Sequence, residues 1–210
     1  MSDGFNVINA PFGDIVYRYD DSFEGLMTAV FESYSRKPAP MRIVGQQYQR
    51  ALGEQCIDIE SDQGKAGRVI RGIQNIMGDD EYERVWTCFL SCNPDKADVI
   101  YRYIRLGMKL KRALRFHITN ENVAGLYKLV SLIKRETSHI IEFIRFSRIE
   151  DGIYYAKISP GNDILQLIMP YFASRFNTFP FIIHDTGRMT AGVYDTREWI
   201  IRPAENLTLP

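Results

Sequence analysis

The chain has 210 residues, 45% of them hydrophobic and 25% charged, and its formal net charge at pH 7 is zero. This composition is ordinary for a globular protein, and the length allows one large domain or two small ones. A net charge of zero excludes attraction of nucleic acid or membrane by the molecule as a whole.

Hydrophobic periodicity predicts strands and helices in the first two thirds of the chain. Alternating apolar residues predict strands, and apolar residues at three- and four-residue steps predict amphipathic helices. The predicted strands are residues 14–19, 41–44 and 55–60. The predicted helices are 22–34 capped by Ser22, 63–77 capped by Ser61 or Asp62, 80–92 capped by Asp79, 95–116 opened by Asn93 and Pro94, and 121–143 opened by Asn120.

The period changes after residue 143. Strand-like segments flank Glu150-Asp151-Gly152, and Asp-Gly is a strong hairpin signal. A short helix is predicted at 162–176, followed by antiparallel strands at 179–185, 189–195 and 197–201. The predicted fold class is therefore α+β, a helical middle region followed by an antiparallel hairpin–helix–meander sheet. We expect a mainly helical subdomain with short N-terminal strands at 1–118 and an α+β subdomain at 119–210, or one compact domain.

Charge is segregated along the chain. Residues 1–98 carry 10 Lys and Arg against 16 Asp and Glu, a net of −6, and residues 149–210 carry 5 against 7, a net of −2. Residues 99–148, which we call the basic block, carry 11 against 3, a net of +8. Within the block, residues 99–120 contain no acidic residue, and one helical face would hold Arg102, Arg105, Lys109 and Arg112. Such a stripe suits phosphate recognition, although a charge run is more often a solvated face paired with carboxylates elsewhere.

Two further motifs offer acid–base or anion-binding groups. On a helix over 121–143, Arg135, His139 and Glu142 share the polar face, with Arg145 soon after. His139 with Glu142 could act as a general acid–base pair or contact a phosphate, or His139 could be an ordinary surface histidine. His184 and Asp185 in "HDTGR" are a second acid–base candidate, and Asp-Thr-Gly is also a good turn. Arg68 in "KAGRVIRGI" is a weaker candidate for phosphate contact.

The three cysteines, Cys56, Cys88 and Cys92, indicate free thiols in a reducing compartment. The N-terminus lacks the features of a secretory signal and no apolar run is long enough to span a membrane, so we predict a cytoplasmic location and no membrane partner. Cys88 and Cys92 lack further ligands nearby in the sequence, so both are predicted to be structural, with no bound metal and no cofactor.

Several stretches together resemble one protein family. They are "YDDSFEGLMTAVFESY" (19–34), "KAGRVIRGI" (65–73), "IYRYIRLG" (100–107), "RETSHIIEFIRF" (135–146), "DGIYYAKISPGNDILQLIMPYFASRF" (151–176) and "IIHDTGR" (182–188). They are similar to the bacterial DNA-metabolism proteins catalogued as domain of unknown function 4130. The resemblance implies a radical-SAM protein as partner and a uracil-DNA glycosylase-like domain acting in trans. The motif positions to test first are Arg68, Arg102, Arg105, Arg135, Glu136, His139, Arg145, His184 and Asp185.

Three hypotheses follow for the function. The first is a nucleic-acid-binding accessory protein in DNA repair or modification, working with a radical-SAM partner and binding DNA through Arg68, the residues of the stripe, Arg135, His139 and Arg145. The second is an enzyme that acts on DNA or a nucleotide by histidine–carboxylate chemistry. The third is a protein-interaction scaffold that docks an acidic partner on the basic block.

Overall fold

The computed structural model describes residues 13–149 and 152–205. Over these residues the α+β class is confirmed. The elements are β1 (Gly13–Arg18), α1 (Phe23–Ser35), β2 (Pro40–Val44), β3 (Gln55–Asp58), α2 (Gln63–Ile76), α3 (Asp79–Phe89), α4 (Lys96–Leu110), a 3₁₀ helix (Lys111–Phe116), α5 (Glu121–Phe143), β4 (Ser147–Arg148), β5 (Tyr154–Ile158), α6 (Leu165–Arg175), β6 (Phe181–Asp185), β7 (Thr190–Tyr194) and β8 (Trp199–Pro203).

The described chain forms two compact units. The first unit runs to Phe89 and also includes Asn93–Tyr127, and the second comprises Leu90–Cys92 and the chain from Lys128 onward. Helix α5 therefore begins in the first unit and continues in the second. The division into subdomains between residues 118 and 119 stays a prediction.

A three-stranded parallel sheet in the order β2-β1-β3 forms the first unit's sheet. Helix α1 connects β1 to β2 and packs against α2. Both predicted caps are present, because Ser22 accepts a hydrogen bond from the Gly25 amide and Asp62 accepts one from the Lys65 amide. Because all three strands are parallel, the segments that follow β1 and β3 meet at one edge of the sheet.

The second unit contains a five-stranded sheet in the order β4-β5-β6-β7-β8. The predicted hairpin exists as the antiparallel pair β4–β5, and Glu150 and Asp151 of its turn lie outside the described residues. The pairs β6–β7 and β7–β8 are also antiparallel, but β5 and β6 are parallel, so the sheet is mixed. The physical reason is helix α6, which returns the chain to the starting edge so that β6 repeats the direction of β5.

A separate hydrophobic core fills the second unit. Helix α6 covers one face of the sheet with Leu165, Ile168, Met169 and Phe172. The sheet contributes Ile158, Phe181, Ile183 and Tyr194, and α5 contributes Ile133. Among the described residues, no helix combines the length and the hydropathy that a membrane-spanning segment requires.

Helix α4 is shorter than the sequence predicted. It begins at Lys96 and ends at Leu110, instead of extending to residue 116, because Lys111 adopts a positive φ of 53° and the chain continues as a 3₁₀ helix. A left-handed residue cannot continue an α-helix. Arg112 therefore does not belong to the stripe that Arg102, Arg105 and Lys109 form on α4.

Candidate nucleic-acid interface

The end of α4 and the 3₁₀ helix form an exposed basic segment, which we define as residues 109–118. Its cations, Lys109, Lys111, Arg112 and Arg115, are all exposed. None of them forms an ion pair with a carboxylate in the part of the chain that the structure describes. These four positive charges are therefore available to an external anion.

Exposed apolar side chains accompany these cations. Phe116 is 73% exposed and Ile118 is 61% exposed, whereas Leu114 is fully buried and holds the 3₁₀ helix on the first unit. The guanidinium carbon of Arg115 lies 4.8 Å from the centre of the Phe116 ring. An exposed aromatic ring beside unpaired cations is the combination that contacts both the bases and the phosphates of nucleic acid.

The other predicted cations of the first unit have partners inside that unit. Arg102 Nε lies 2.6 Å from Asp98 Oδ2, and Arg102 Nη2 donates to the Met41 carbonyl at 3.1 Å. Burial raises the pKa of Asp98 above its ordinary value, against the opposing effect of the hydrogen bond from Arg102. Arg102 thus neutralises a carboxylate that lies just before the acid-free interval.

Arg105 and Arg68 lie against neighbouring groups of the same unit. Arg105 Nη1 donates to the Ser33 carbonyl at 3.2 Å, and its guanidinium lies 4.8 Å from the Tyr34 ring centre. The Arg68 guanidinium lies 5.9 Å from the Phe31 ring centre. Arg105 is therefore used in packing, while Arg68 remains exposed.

The predicted polar face of α5 is exposed in the second unit. Arg135, His139 and Glu142 are all exposed, as is Arg145 beyond the helix end. The His139 ring lies 4.6 Å from the centre of the Phe143 ring. Among the described residues, no hydrogen bond joins His139 to Arg135 or to Glu142. That Arg135, His139 and Arg145 bind DNA together with Arg102 and Arg105 stays a prediction.

Glu136, on the same helix, clamps the loop between β5 and α6. Its carboxylate accepts hydrogen bonds from the Gly161 amide at 2.7 Å, the Asn162 amide at 3.0 Å and Asn162 Nδ2 at 2.6 Å. Burial would raise the pKa of Glu136, but the hydrogen bonds from Asn162 and Gly161 outweigh it and hold the pKa below its ordinary value. Glu136 is therefore a structural residue, although the resemblance placed it among the positions to test.

His184 and Asp185 do not form an acid–base pair. They are consecutive residues of β6, so their side chains point to opposite faces of the sheet. His184 is buried, and its Nδ1 lies 2.8 Å from the Tyr155 hydroxyl. Asp185 is fully buried and binds Arg188 Nη1 at 3.0 Å.

Arg188 connects Asp185 to the β5–α6 loop, which Glu136 also binds. Its guanidinium donates to the carbonyls of Pro160, at 3.0 Å, and Gly161. Asp185 also accepts a hydrogen bond from the Gly187 amide at 3.0 Å, which fixes the β6–β7 turn. The turn interpretation of "HDTGR" thus describes Asp185. Through Arg188, Asp185 also supports the carbonyl groups of the β5–α6 loop, whose amide groups Glu136 binds.

A crevice of about 560 Å³ lies at the carboxyl edge of the parallel sheet in the first unit, and sequence reasoning did not single it out. Asp20, at the end of β1, accepts hydrogen bonds from the hydroxyls of Ser22 and Ser61, each at 2.6 Å. Burial would raise the pKa of Asp20, but these hydrogen bonds hold it below its ordinary value. Asp58 and Glu60 also line the crevice, and the one cation among its described lining residues, Arg18, is paired with Asp58 at 2.6 Å. The remaining charge is negative, so the crevice is unsuited to a phosphate backbone.

Two glycines permit the close packing around this crevice. A side chain at Gly25 would collide with the Asp20 carboxylate, and one at Gly45 would collide with that of Asp21. Asp21 has a positive φ of 60° and accepts a hydrogen bond from the Gln46 amide at 3.2 Å. The sequence signal was the pair of aspartates directly after a predicted strand, where parallel strands gather polar residues.

The cysteines differ in exposure. Cys88 is buried, Cys92 is exposed and Cys56 is half-buried. Burial raises the pKa of Cys88 to about 12. Within the described residues, no three His, Cys, Asp or Glu side chains are grouped so that they could hold a metal ion. The absence of a bound metal stays a prediction.

Comparison with known protein families gives a match over the second half of the chain. Residues 94–208 match the family described as Domain of unknown function (DUF4130), which is more than half of the chain. The protein belongs to this family. No curated protein matches the chain.

Some of the features described above lie within the matched residues, and others lie before them. The basic segment, the Glu136 clamp and all of the second unit's sheet lie within the matched residues 94–208. The stretches 19–34 and 65–73, which also suggested the resemblance, lie before the match, as does the acidic crevice. Membership in the DUF4130 family therefore applies most directly to the region from α4 to β8.

Proposed function

We propose that the protein binds nucleic acid through the basic segment. The observation that carries the proposal is the set of exposed cations at Lys109, Lys111, Arg112 and Arg115, which have no carboxylate partner among the described residues and lie beside the exposed ring of Phe116. Each cation that neutralises a phosphate releases a condensed counterion, and this release drives binding. Because the net charge of the chain is zero, the attraction depends on local groups of unpaired cations such as this segment and not on the molecule as a whole.

The biological setting that we propose is that of an accessory protein in DNA repair or modification. The support is the resemblance to DNA-metabolism proteins, which implies a radical-SAM partner and a uracil-DNA glycosylase-like domain acting in trans. In this role the protein supplies affinity for DNA and the partner supplies the chemistry. This setting is tested by asking whether a radical-SAM protein co-purifies with the tagged chain, with DNA added and without it. Failure to co-purify under both conditions would contradict the setting.

The binding proposal is tested with a triple variant, Lys109→Ala/Arg112→Ala/Arg115→Ala. Fluorescence anisotropy of a labelled oligonucleotide is measured over a series of salt concentrations with the full chain. We expect weaker binding and a log–log salt slope that is shallower by up to about 0.9 for each phosphate that the variant no longer neutralises. The thermal midpoint should change little, since exposed charges contribute less than about 1 kcal/mol each.

A matched control removes the same charge from other parts of the chain. Arg50, Arg71 and Arg197 are exposed and lie outside the basic block. Their triple alanine variant should bind with the affinity and salt slope of the wild-type protein. An equal decrease in affinity for the two triple variants would indicate only an effect of net charge. Unchanged binding by the first variant, which lacks Lys109, Arg112 and Arg115, would exclude the basic segment as the site.

A further inference from the structure

A groove of about 320 Å³ lies between the end of α5 and helix α6 in the second unit. Its lining includes Arg145, Phe146, Tyr171, Phe172, Arg175 and Phe176. We call this surface the aromatic groove. Its volume falls within the roughly 300–1,000 Å³ typical of small-ligand sites.

The inner surface of the aromatic groove is a cluster of phenylalanine rings. The Phe146 ring centre lies 5.3 Å from that of Phe172 and 5.1 Å from that of Phe176, both in edge-to-face geometry. Phe172 is only 3% exposed, so this cluster is continuous with the hydrophobic core. The position of the inner surface is therefore fixed by core packing.

The rim of the aromatic groove carries an exposed ring and two cations. Tyr171 is 42% exposed, and its hydroxyl accepts a hydrogen bond from Arg175 Nη1 at 3.3 Å. Arg145 Nη1 lies 3.4 Å from the Phe143 carbonyl at the end of α5. Across the residues that the structure describes, neither arginine forms an ion pair with a carboxylate. One carboxylate, Glu142, also lines the groove, so two guanidinium groups face it against one negative charge.

We propose that the aromatic groove binds one unpaired nucleotide of a single-stranded nucleic acid, a proposal that rests on the function proposed above. The base lies against Tyr171 and the phenylalanine cluster, and its phosphate is bound by Arg145 and Arg175. Stacking of a base on an aromatic side chain is available to any base that is not already stacked within a duplex. An apolar peptide would fill the same space without using the two guanidinium groups, so charge complementarity favours the nucleotide.

The test compares three labelled ligands of equal length: a thymidine oligonucleotide, the same oligonucleotide with abasic sites, and a duplex. Affinities are measured by fluorescence anisotropy with the full chain. The wild-type protein should prefer the base-bearing strand over the abasic strand by at least about fivefold, the lower end of one base–aromatic stack. Tyr171→Ala should reduce this preference by about fivefold, the contribution of one stacked base, and leave binding of the abasic strand unchanged.

A conservative variant and a charge variant complete the design. Tyr171→Phe keeps the ring and should keep the preference, which separates stacking from the removal of the hydroxyl. Arg145→Ala/Arg175→Ala should weaken binding of the base-bearing strand and of the abasic strand alike, because the double variant lacks the phosphate contacts. The thermal midpoint of each variant shows whether the second unit remains folded.

The outcomes separate this proposal from the one on which it rests. If the wild-type protein binds all three ligands equally, the aromatic groove does not hold a base, and the proposed nucleic-acid function stands. If Tyr171→Ala retains the preference, the base lies elsewhere and the assignment of the groove is overturned. If no ligand binds, the proposed function fails and the groove proposal fails with it.

Discussion

Glu136 and Glu142 lie less than two turns apart on helix α5 and have very different surroundings. Glu136 accepts three hydrogen bonds from Gly161 and Asn162, whereas Glu142 is exposed. A carboxylate that accepts several hydrogen bonds from one loop stabilises the fold, and an exposed carboxylate without such partners adds little. Comparing variants of Glu136 and Glu142 therefore measures how much the hydrogen bonds of Glu136 to the β5–α6 loop stabilise the fold.

Replacing Glu136 with alanine should lower the free energy of unfolding by roughly 1.5–3 kcal/mol, because it removes charge-assisted hydrogen bonds to the β5–α6 loop. Glu142→Ala should change it by less than about 0.5 kcal/mol. Urea denaturation of both variants measures the difference. Equal stability of the two variants would show that the clamp contributes nothing.

Cys88 and Cys92 should differ in their reaction with an alkylating reagent. Because burial raises the pKa of Cys88 to about 12, only about one part in ten thousand of that thiol is ionised at pH 8. Iodoacetamide at pH 8 should therefore modify the exposed Cys92 first, as followed by peptide mass spectrometry. Labelling in urea, where all three cysteines should react, is the control. Labelling of Cys88 as fast as Cys92 in the folded protein would contradict the buried position.

The partners of individual residues were predictable from the sequence only when they lie close along the chain. Asp98 precedes Arg102 by one helical turn, a spacing that predicts an ion pair, and it lies just outside the acid-free interval. The partners of Glu136 are 25 and 26 residues away, in a loop that approaches α5 only after the second unit folds. The sequence placed Glu136 on the helix but could not distinguish its role from that of Glu142.

At the scale of elements, the contact between α6 and β7 depends on one glycine. Any side chain at Gly192 would collide with Met169, which belongs to the core of the second unit. Gly192→Ala should therefore lower the free energy of unfolding by about 1–3 kcal/mol through overpacking. Met169→Ala alone should lower the free energy of unfolding by roughly 2–5 kcal/mol, because it creates a cavity.

The double variant Gly192→Ala/Met169→Ala should cost less than the two single changes together, because the shorter side chain makes room for the added methyl group. Gly125→Ala in α5 is a suitable control, since its methyl group would meet only Val99, at 3.9 Å. That change should be neutral or stabilising, because alanine favours helix. Strict additivity of the two core substitutions would exclude direct packing of Met169 on Gly192.

Element identity was largely predictable, and element pairing was not. Caps and periodicity located α1, α2 and α5, because these signals are local in the sequence. The parallel pairing of β5 with β6 was missed, since strand direction depends on the path of the chain through α6. The end of α4 was also missed, because no glycine or proline marks the left-handed residue Lys111.

For the whole molecule, the shifted pKa values of the carboxylates predict how the stability of the fold changes with acid. Hydrogen bonds and ion pairs lower the pKa values of Glu32, Asp58, Asp62 and Asp195 in addition to those of Asp20 and Glu136. A folded-state pKa below the unfolded value gives stability that is present above about pH 4 and is lost as the pH falls through the folded-state pKa. Asp98, whose pKa is raised, acts in the opposite sense.

The urea midpoint should therefore decrease steadily as the pH is lowered from about 5 to 3. Glu136→Gln should show a shallower decrease than the wild-type protein, because one group with a lowered pKa no longer titrates. Measurement of both proteins across this range gives the comparison. A midpoint that does not change below pH 5 would mean that the carboxylate hydrogen bonds contribute no net stability.

The packing of Asp20 and Asp21 at the end of β1 has a consequence for sequence variation among relatives. Because Gly25 leaves room for the Asp20 carboxylate and Gly45 leaves room for that of Asp21, each aspartate and its glycine form a coupled pair. We expect relatives that keep the aspartates to keep both glycines, and relatives with a larger residue at position 25 or 45 to lack the corresponding carboxylate. Substitutions that are harmful one at a time should thus be inherited together, and the evolutionary path between the two states should pass through a smaller residue, serine or glycine, at position 20 or 21.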